Sequence, residues 1–352
     1  MSLQDGMAAL NLEMPDRVPR TEYSAEKHWD LIKAVLKTDV SYMSPPEERQ
    51  KASLAFMKAW NYDFQWGTTI GQGDLGACCT HMGHANYQAG NIDFDNTVNS
   101  YFHSVEEVLN FDPVDMLPAY SHGELIKRFN QAYIHKCNML PTAVHTVGTY
   151  ISAVSGFIDL FGWQFFLEAL GEDPQKLGQV MERYSQWMQK YYDAMADCGA
   201  PVILIHDDIV WTSGPFMSPE WYRKYVFPCY NRYIAPLKEA GKKILYCSDG
   251  NFSMFIDDIA ACGFDGFIME PTTDMAYIAE KYGKTHSFIG NADTSILLMG
   301  TKEDIKNEVK RCMDIGKKCP GFIMAVGNHI PSNTPVENAL WYNECYEKMS
   351  KR

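Results

Sequence analysis

Basic residues are scarce in this chain of 352 residues: 31 Lys and Arg stand against 44 Asp and Glu, a formal net charge of −13. An acidic surface repels phosphate backbones and anionic lipid, which excludes general binding to nucleic acid or to a membrane surface. Long apolar runs are missing too. None approaches the roughly 20 residues of a membrane span. No basic-then-apolar leader is seen, so a cytoplasmic protein is expected. Cysteine is sparse, ten in all, without the close regular spacing of a disulfide scaffold. The cysteines read as reduced thiols, most of them small core residues. Low-complexity segments and fixed-period repeats are also lacking.

Apolar material is plentiful, at 46% of residues, enough for a large core. Short β-branched or aromatic runs alternate with longer amphipathic stretches, the pattern of βα units around a parallel sheet. Strands are predicted over residues 62–70, 142–147, 202–206, 244–247, 266–270, 287–290 and 322–326, with a weaker eighth over 91–95. Helices are predicted over 219–240, 252–262, 275–282, 302–318 and 336–351. Ser218-Pro219-Glu220 is a helix start with a serine cap and proline in the first turn. Eight units fit the α/β fold class, as a single (β/α)8 barrel over 61–352 behind an N-terminal helical extension over 1–60. The alternative is a doubly wound open sheet. Its phosphate fingerprint is matched by letter only, at Gly71-Gln72-Gly73-Asp74-Leu75-Gly76. No amphipathic helix opens after it, and no acidic strand residue follows about 20 positions on.

In a barrel, chemistry gathers where strands end at the C-terminal face. Five consecutive strands deliver polar groups there: His206-Asp207-Asp208, Cys247-Ser248-Asp249, Glu270, Asn291-Ala292-Asp293 and Asn328-His329. Any one is explained as a loop or cap residue, Asp293 before Thr294 most simply. Five together point to a site. Cys247, Asp249, Glu270 and His329 have the chemical types of a thiolate–imidazole–carboxylate metal site, for which zinc is best suited. Cys247 and Asp249 are two apart and project from one side of an extended segment. Alone, Cys247 reads as a buried thiol and Glu270 as an ion-pair partner. A second candidate is the loop Cys78-Cys79-Thr80-His81-Met82-Gly83-His84, whose spacing matches no structural zinc motif. Stretches such as 157–166 and 221–233 are rich in aromatic residues, which line either a roomy cleft or the core sides of helices.

Taken in order, Asp207-Asp208, Ser218-Pro219-Glu220, Ser248-Asp249-Gly250, Gly290-Asn291-x-Asp293 and Thr334-Pro335-x-Glu337-Asn338 resemble the uroporphyrinogen decarboxylase superfamily. The match runs from about residue 200 onward and is fainter before it. The resemblance implies a (β/α)8 barrel and two branches of activity, the decarboxylases and the zinc-dependent methyltransferases that work with methyl-corrinoids. The methyltransferase branch carries His-x-Cys at one strand end, a Glu at the next and a Cys before the final helix. Here these positions fall on Cys247 and Asp249, on Glu270, and on Asn328 with His329 beside it. The layout is kept while ligand identities differ. The decarboxylase branch is similar in sequence order, but its octacarboxylate substrate calls for many arginines. The comparable N-terminal stretch has only Arg17 and Arg20, where anion binding is conceivable.

The expected function is therefore methyl transfer between a small methylated compound or a thiol or pterin acceptor and cobalamin. Zn2+ would be held by Cys247, Asp249, Glu270 and His329. His206, Asp207 and Asp208 would orient substrate or carry protons, with His145 on a neighbouring strand. Asn291, Asp293 and Asn328 are the expected cofactor contacts. The corrinoid would arrive on a separate carrier protein, since no Asp-x-His-x-x-Gly is present. The alternatives are metal-free decarboxylation in porphyrin biosynthesis and a non-catalytic barrel that binds a corrinoid or its carrier.

Overall fold

The computed structural model describes residues 2–82, 85–88, 91–94 and 97–352. All seven stronger strand predictions fall on observed strands. Six of these form one parallel sheet, in the order Phe322–Val326, Ser287–Ala292, Gly266–Met269, Lys243–Ser248, Val202–His206, Val147–Thr149. The strand Phe64–Gln65 adds in parallel register, Phe64 opposite Val144 and Gln65 opposite His145.

The eighth wall comes from an unexpected place. Asp63 N–H donates to the Arg20 carbonyl (2.8 Å), Thr21 N–H to Met324 (3.0 Å) and Met324 N–H to Pro19 (2.8 Å). Parallel bridges join Arg20 to Met324 and Tyr23 to His329. Residues 19–23 thus lie between the last strand and the first and close the barrel. The candidate over 91–95 does not fill this position. Asn91–Phe94 pairs antiparallel with Ala85–Gln88, and residue 95 lies outside the described residues. Two short segments separated by two positions close a far smaller loop with each other than either would across the barrel.

Alternating strand residues build two cores. Val202, Leu204, Leu245, Ile268, Ile289, Ile323 and Ala325 fill the barrel interior. The helix Leu3–Leu10 plugs its lower end with Ala9 and Leu10. Gly6 rests on the Asp63 carbonyl, where a β-carbon would collide. A larger cluster, rich in Tyr and Phe, packs the strands against the surrounding helices. Among the described residues no helix is long and apolar enough to cross a membrane.

The arginines of the N-terminal stretch belong to this scaffold. Arg20 is fully buried, 4.5 Å above the Trp60 ring and 4.6 Å from Tyr346, and its Nε donates to Glu22 at 2.8 Å. Glu22 in turn accepts the Val326 N–H at 2.9 Å. Arg17 pairs with Asp63 and donates to the Tyr346 hydroxyl at 2.9 Å. Neither guanidinium is available to an anionic ligand at the barrel mouth. The Gly71–Gly76 loop is likewise structural: Asp74 accepts the Gly71 N–H at 3.1 Å and binds Arg128.

Candidate active site at the barrel mouth

Inward-facing positions continue upward from the apolar interior, and at the mouth they become polar. There they enclose a cavity of about 310 Å3, lined by fifteen residues that include Tyr23, Trp66, Tyr150, His206, Cys247 and Asp249. None of the fifteen is Arg or Lys. A wider hollow beside it is bordered by Trp211, Asp249 and Glu270.

Three of the expected residues converge. His206 Nε2 lies 3.1 Å from Asp208 Oδ1, which also accepts the Asp249 N–H at 2.8 Å. The Tyr150 hydroxyl donates to Asp208 Oδ2 at 3.0 Å, and its ring stands edge-on to His206. Burial opposes charge on His206, but the Cys247 sulfur and the Asp208 carboxylate outweigh it and hold the imidazole well above its usual range. Burial would raise Asp208, yet His206 and the donated hydrogen bonds keep it below the ordinary carboxylate value. Asp249 is pushed up to about 7 by burial, with Asp208 and Glu270 adding repulsion and His206 opposing it. Burial raises the Cys247 thiol.

Ligand atoms of His206, Asp208 and Asp249 all lie within 4.8 Å of one another, and this is the sole such group of three or more His, Cys, Asp or Glu among the described residues. One imidazole with two carboxylates fits a divalent ion. This group shares only Asp249 with the set expected from the sequence. Glu270 is occupied by the Gly250 N–H (2.7 Å) and by the Asn328 amide. That contact fixes the loop, since Gly250 has φ +79° and a β-carbon there would sit 2.8 Å from the Trp211 backbone. His329 turns to Ser24 (2.6 Å) and packs at a tilt against Tyr23, ring centroids 4.2 Å apart. Burial, with Lys27 nearby, holds it at about 4 and so neutral. Cys247 lines the cavity without joining the ligand group.

Other expected residues face elsewhere. Asp207 is fully buried and accepts the backbone N–H groups of Ala153, Val154 and Ser155 (3.0, 3.3 and 2.7 Å) and the Tyr230 hydroxyl (2.7 Å). It anchors the start of the helix Val154–Glu172, where a carboxylate complements the helix dipole. Burial still lifts it to about 6. His145 lies in the helix layer, its Nε2 2.8 Å from the Leu140 carbonyl. Asp293 caps Thr294–Met299 through the Ser295 N–H (2.8 Å). Asn291 ties its strand to the Glu270 and Thr273 carbonyls at 3.1 and 3.2 Å. Only Asn328, of the three expected cofactor contacts, lines the cavity. In the rival loop, Cys78 is buried against Met116, and burial pushes Cys79 to about 11. His81 pairs its backbone with Asn99, and His84 lies outside the described residues.

Three aromatic cavity residues are not singled out by the sequence: Tyr23, Trp66 and Tyr150. Tyr150 carries a usable signal, because the strand runs to Thr149, two residues past its predicted end. Tyr23 follows a wall that is not recognisable as a strand.

The closed parallel barrel with polar groups collected at one mouth defines a (β/α)8 fold of the kind used by many enzymes. The family profile "Uroporphyrinogen decarboxylase (URO-D)" matches residues 97–349, and the chain belongs to that family. A uroporphyrinogen decarboxylase of Carboxydothermus hydrogenoformans is 29% identical over 180 residues, 51% of this chain and 49% of that protein. One from Geobacter sulfurreducens is 26% identical over 210 residues, 60% of this chain and 59% of that protein. The chain spans about half the length of the first of these curated relatives. A solved methyltransferase from Methanosarcina mazei is 20% identical and superposes with a TM-score of 0.65 over 99% of both chains, a likeness of fold.

Proposed function

We propose that this chain is a methyltransferase that moves a methyl group between a small molecule in the mouth cavity and a corrinoid carried by a separate protein. The observation that carries this reading is the cavity: about 310 Å3, lined by aromatic rings, His206, Cys247 and the carboxylate of Asp249, with no Arg or Lys in its lining. A macrocycle bearing eight carboxylates needs cationic partners there, and the two arginines of the N-terminal stretch are spent in the barrel wall. The fold shared with the Methanosarcina mazei methyltransferase supports the same reading.

His206, Asp208 and Asp249 would hold zinc, which when bound supplies Lewis acidity toward the methyl-bearing heteroatom. The remaining residues position and shield. Tyr150 locks Asp208 by its hydroxyl, and Ser155 Oγ accepts the Asp208 N–H at 2.7 Å. Leu204, Ile268 and Met269 exclude water from the floor. The Glu270–Asn328 pair holds two rim loops together.

The test is anaerobic incubation of the zinc-supplemented protein with cob(I)alamin and a panel of small methyl donors, followed by the visible spectrum of methylcobalamin. Methylation is expected, and uroporphyrinogen is expected to give no coproporphyrinogen. Efficient decarboxylation without methyl transfer would overturn the proposal.

A further inference from the structure

Of the three residues in the metal group, Asp249 is the exposed one. His206 ends the strand Val202–His206, and Asp208 is locked by Tyr150 and Ser155. Asp249 instead opens the turn that follows the strand Lys243–Ser248. The direction of its side chain is set by the peptide planes on either side of it. A carboxylate holds each plane. The Asp249 N–H donates to Asp208 Oδ1 at 2.8 Å, and the Gly250 N–H, in the plane that follows, donates to Glu270 Oε2 at 2.7 Å. Ser248 Oγ also donates to the Asp249 carbonyl at 2.9 Å, but Ser248 is its chain neighbour. Glu270, just past the strand Gly266–Met269, ties that plane to the next wall of the barrel.

Glu270 is itself fixed. Its Oε1 accepts the Asn328 amide, and its carbonyl accepts Asn291 Nδ2 at 3.1 Å. Two donors converge on one side chain, which suits a carboxylate: it accepts at both oxygens where a glutamine accepts at one. Glu270 contributes no ligand atom to the His206–Asp208–Asp249 group.

We infer that Glu270 is a positioning residue for the metal, aiming the Asp249 carboxylate at His206 and Asp208 without holding the ion itself. This rests on the reading of those three residues as the metal site.

The experiment measures the zinc affinity of the full chain and of two variants by competition with a chromophoric chelator, each variant checked for native circular dichroism. Glu270→Asp keeps the charge but is one methylene too short to reach Gly250 from the same backbone. It is expected to weaken zinc binding about 10–100-fold, as loss of a group that orients a ligand does. Glu270→Gln keeps the reach and an oxygen for Gly250, and its lost charge is expected to cost less than about tenfold. The order is the readout. A metal ligand, or a carboxylate acting by charge alone, predicts the reverse, with Gln the worse substitution. That reversed order, equal losses or two unchanged affinities overturn the inference and leave the metal site in place. No zinc uptake by the unaltered chain removes the metal reading, and this inference with it. Uptake is read without cobalamin, so absent methyl transfer changes neither.

Discussion

The two ends of the barrel handle charge in opposite ways. At the closing wall and the lower end, each acid meets an arginine: Glu22 meets Arg20 and Asp63 meets Arg17. At the mouth, Asp208, Asp249 and Glu270 crowd together with only His206 to oppose them. The lower charges hold the fold. Of the upper ones, Asp249 is raised by burial, with repulsion from Asp208 and Glu270 adding to it. Mutations should therefore separate into those that cost stability and those that cost activity.

The largest effect is expected at the closing wall. Arg20→Ala strands Glu22 in a buried site and should cost about 3–5 kcal/mol, read by urea denaturation. A loss below about 1 kcal/mol would mean that water reaches Glu22 and that the contrast between the ends is weaker than drawn. At the mouth, Asp249→Asn should leave stability within about 0.5 kcal/mol and His206→Ala, which removes the partner of Asp208, should cost about 1–2 kcal/mol, while each lowers methyl transfer at least about 100-fold. Zinc retention, measured on dialysed protein, should fall further in these two than in Cys247→Ser. The opposite order would restore the thiol as the anchor expected from the sequence.

Asp159 sharpens the comparison from inside the upper half. It is buried, its Oδ2 has no hydrogen-bond partner, and burial, with Asp208 adding repulsion, raises it to about 7. Its folded value exceeds its unfolded one, so the acid takes up a proton on folding. Its favourable contribution is complete below about pH 3.8 and is lost as pH rises through about 7. Asp159→Asn should thus stabilise by about 1–3 kcal/mol at pH 8 and change little at pH 4. Equal effects at both would refute the titration. The smallest effect is expected for Tyr150→Phe, about 1 kcal/mol from one lost hydrogen bond, with a drop in methyl transfer because Asp208 is no longer locked.

Much of this was readable in the residues. Strand periodicity located seven walls, and the strand-end rule brought His206, Asp208, Cys247 and Asp249 to one rim. Residues two apart on a strand share a side, which correctly groups 206 with 208 and 247 with 249. What that rule cannot supply is distance across the barrel. It could not tell that Glu270 is taken up by Gly250, whereas the same alternation turns Asp207, between two site residues, away toward the Val154 helix. The closing wall was hidden for another reason. Residues 19–23 begin with proline and carry charges at Arg20 and Glu22, so they show no strand pattern until Trp60 and Tyr346 bury them.

That wall has a consequence for how the protein is made. Tyr23 lines the cavity next to His329, and Arg20 is bridged to Met324, partners separated by 304 positions along the chain. During synthesis Tyr23 leaves the ribosome about 300 residues ahead of the strand that fixes it. Until then the lower plug and the first walls have no closing neighbour and their edges stay open to chaperones or to misfolding. The cavity is therefore completed only once the strand Phe322–Val326 has emerged, and a nascent chain stopped before residue 322 should bind neither metal nor substrate.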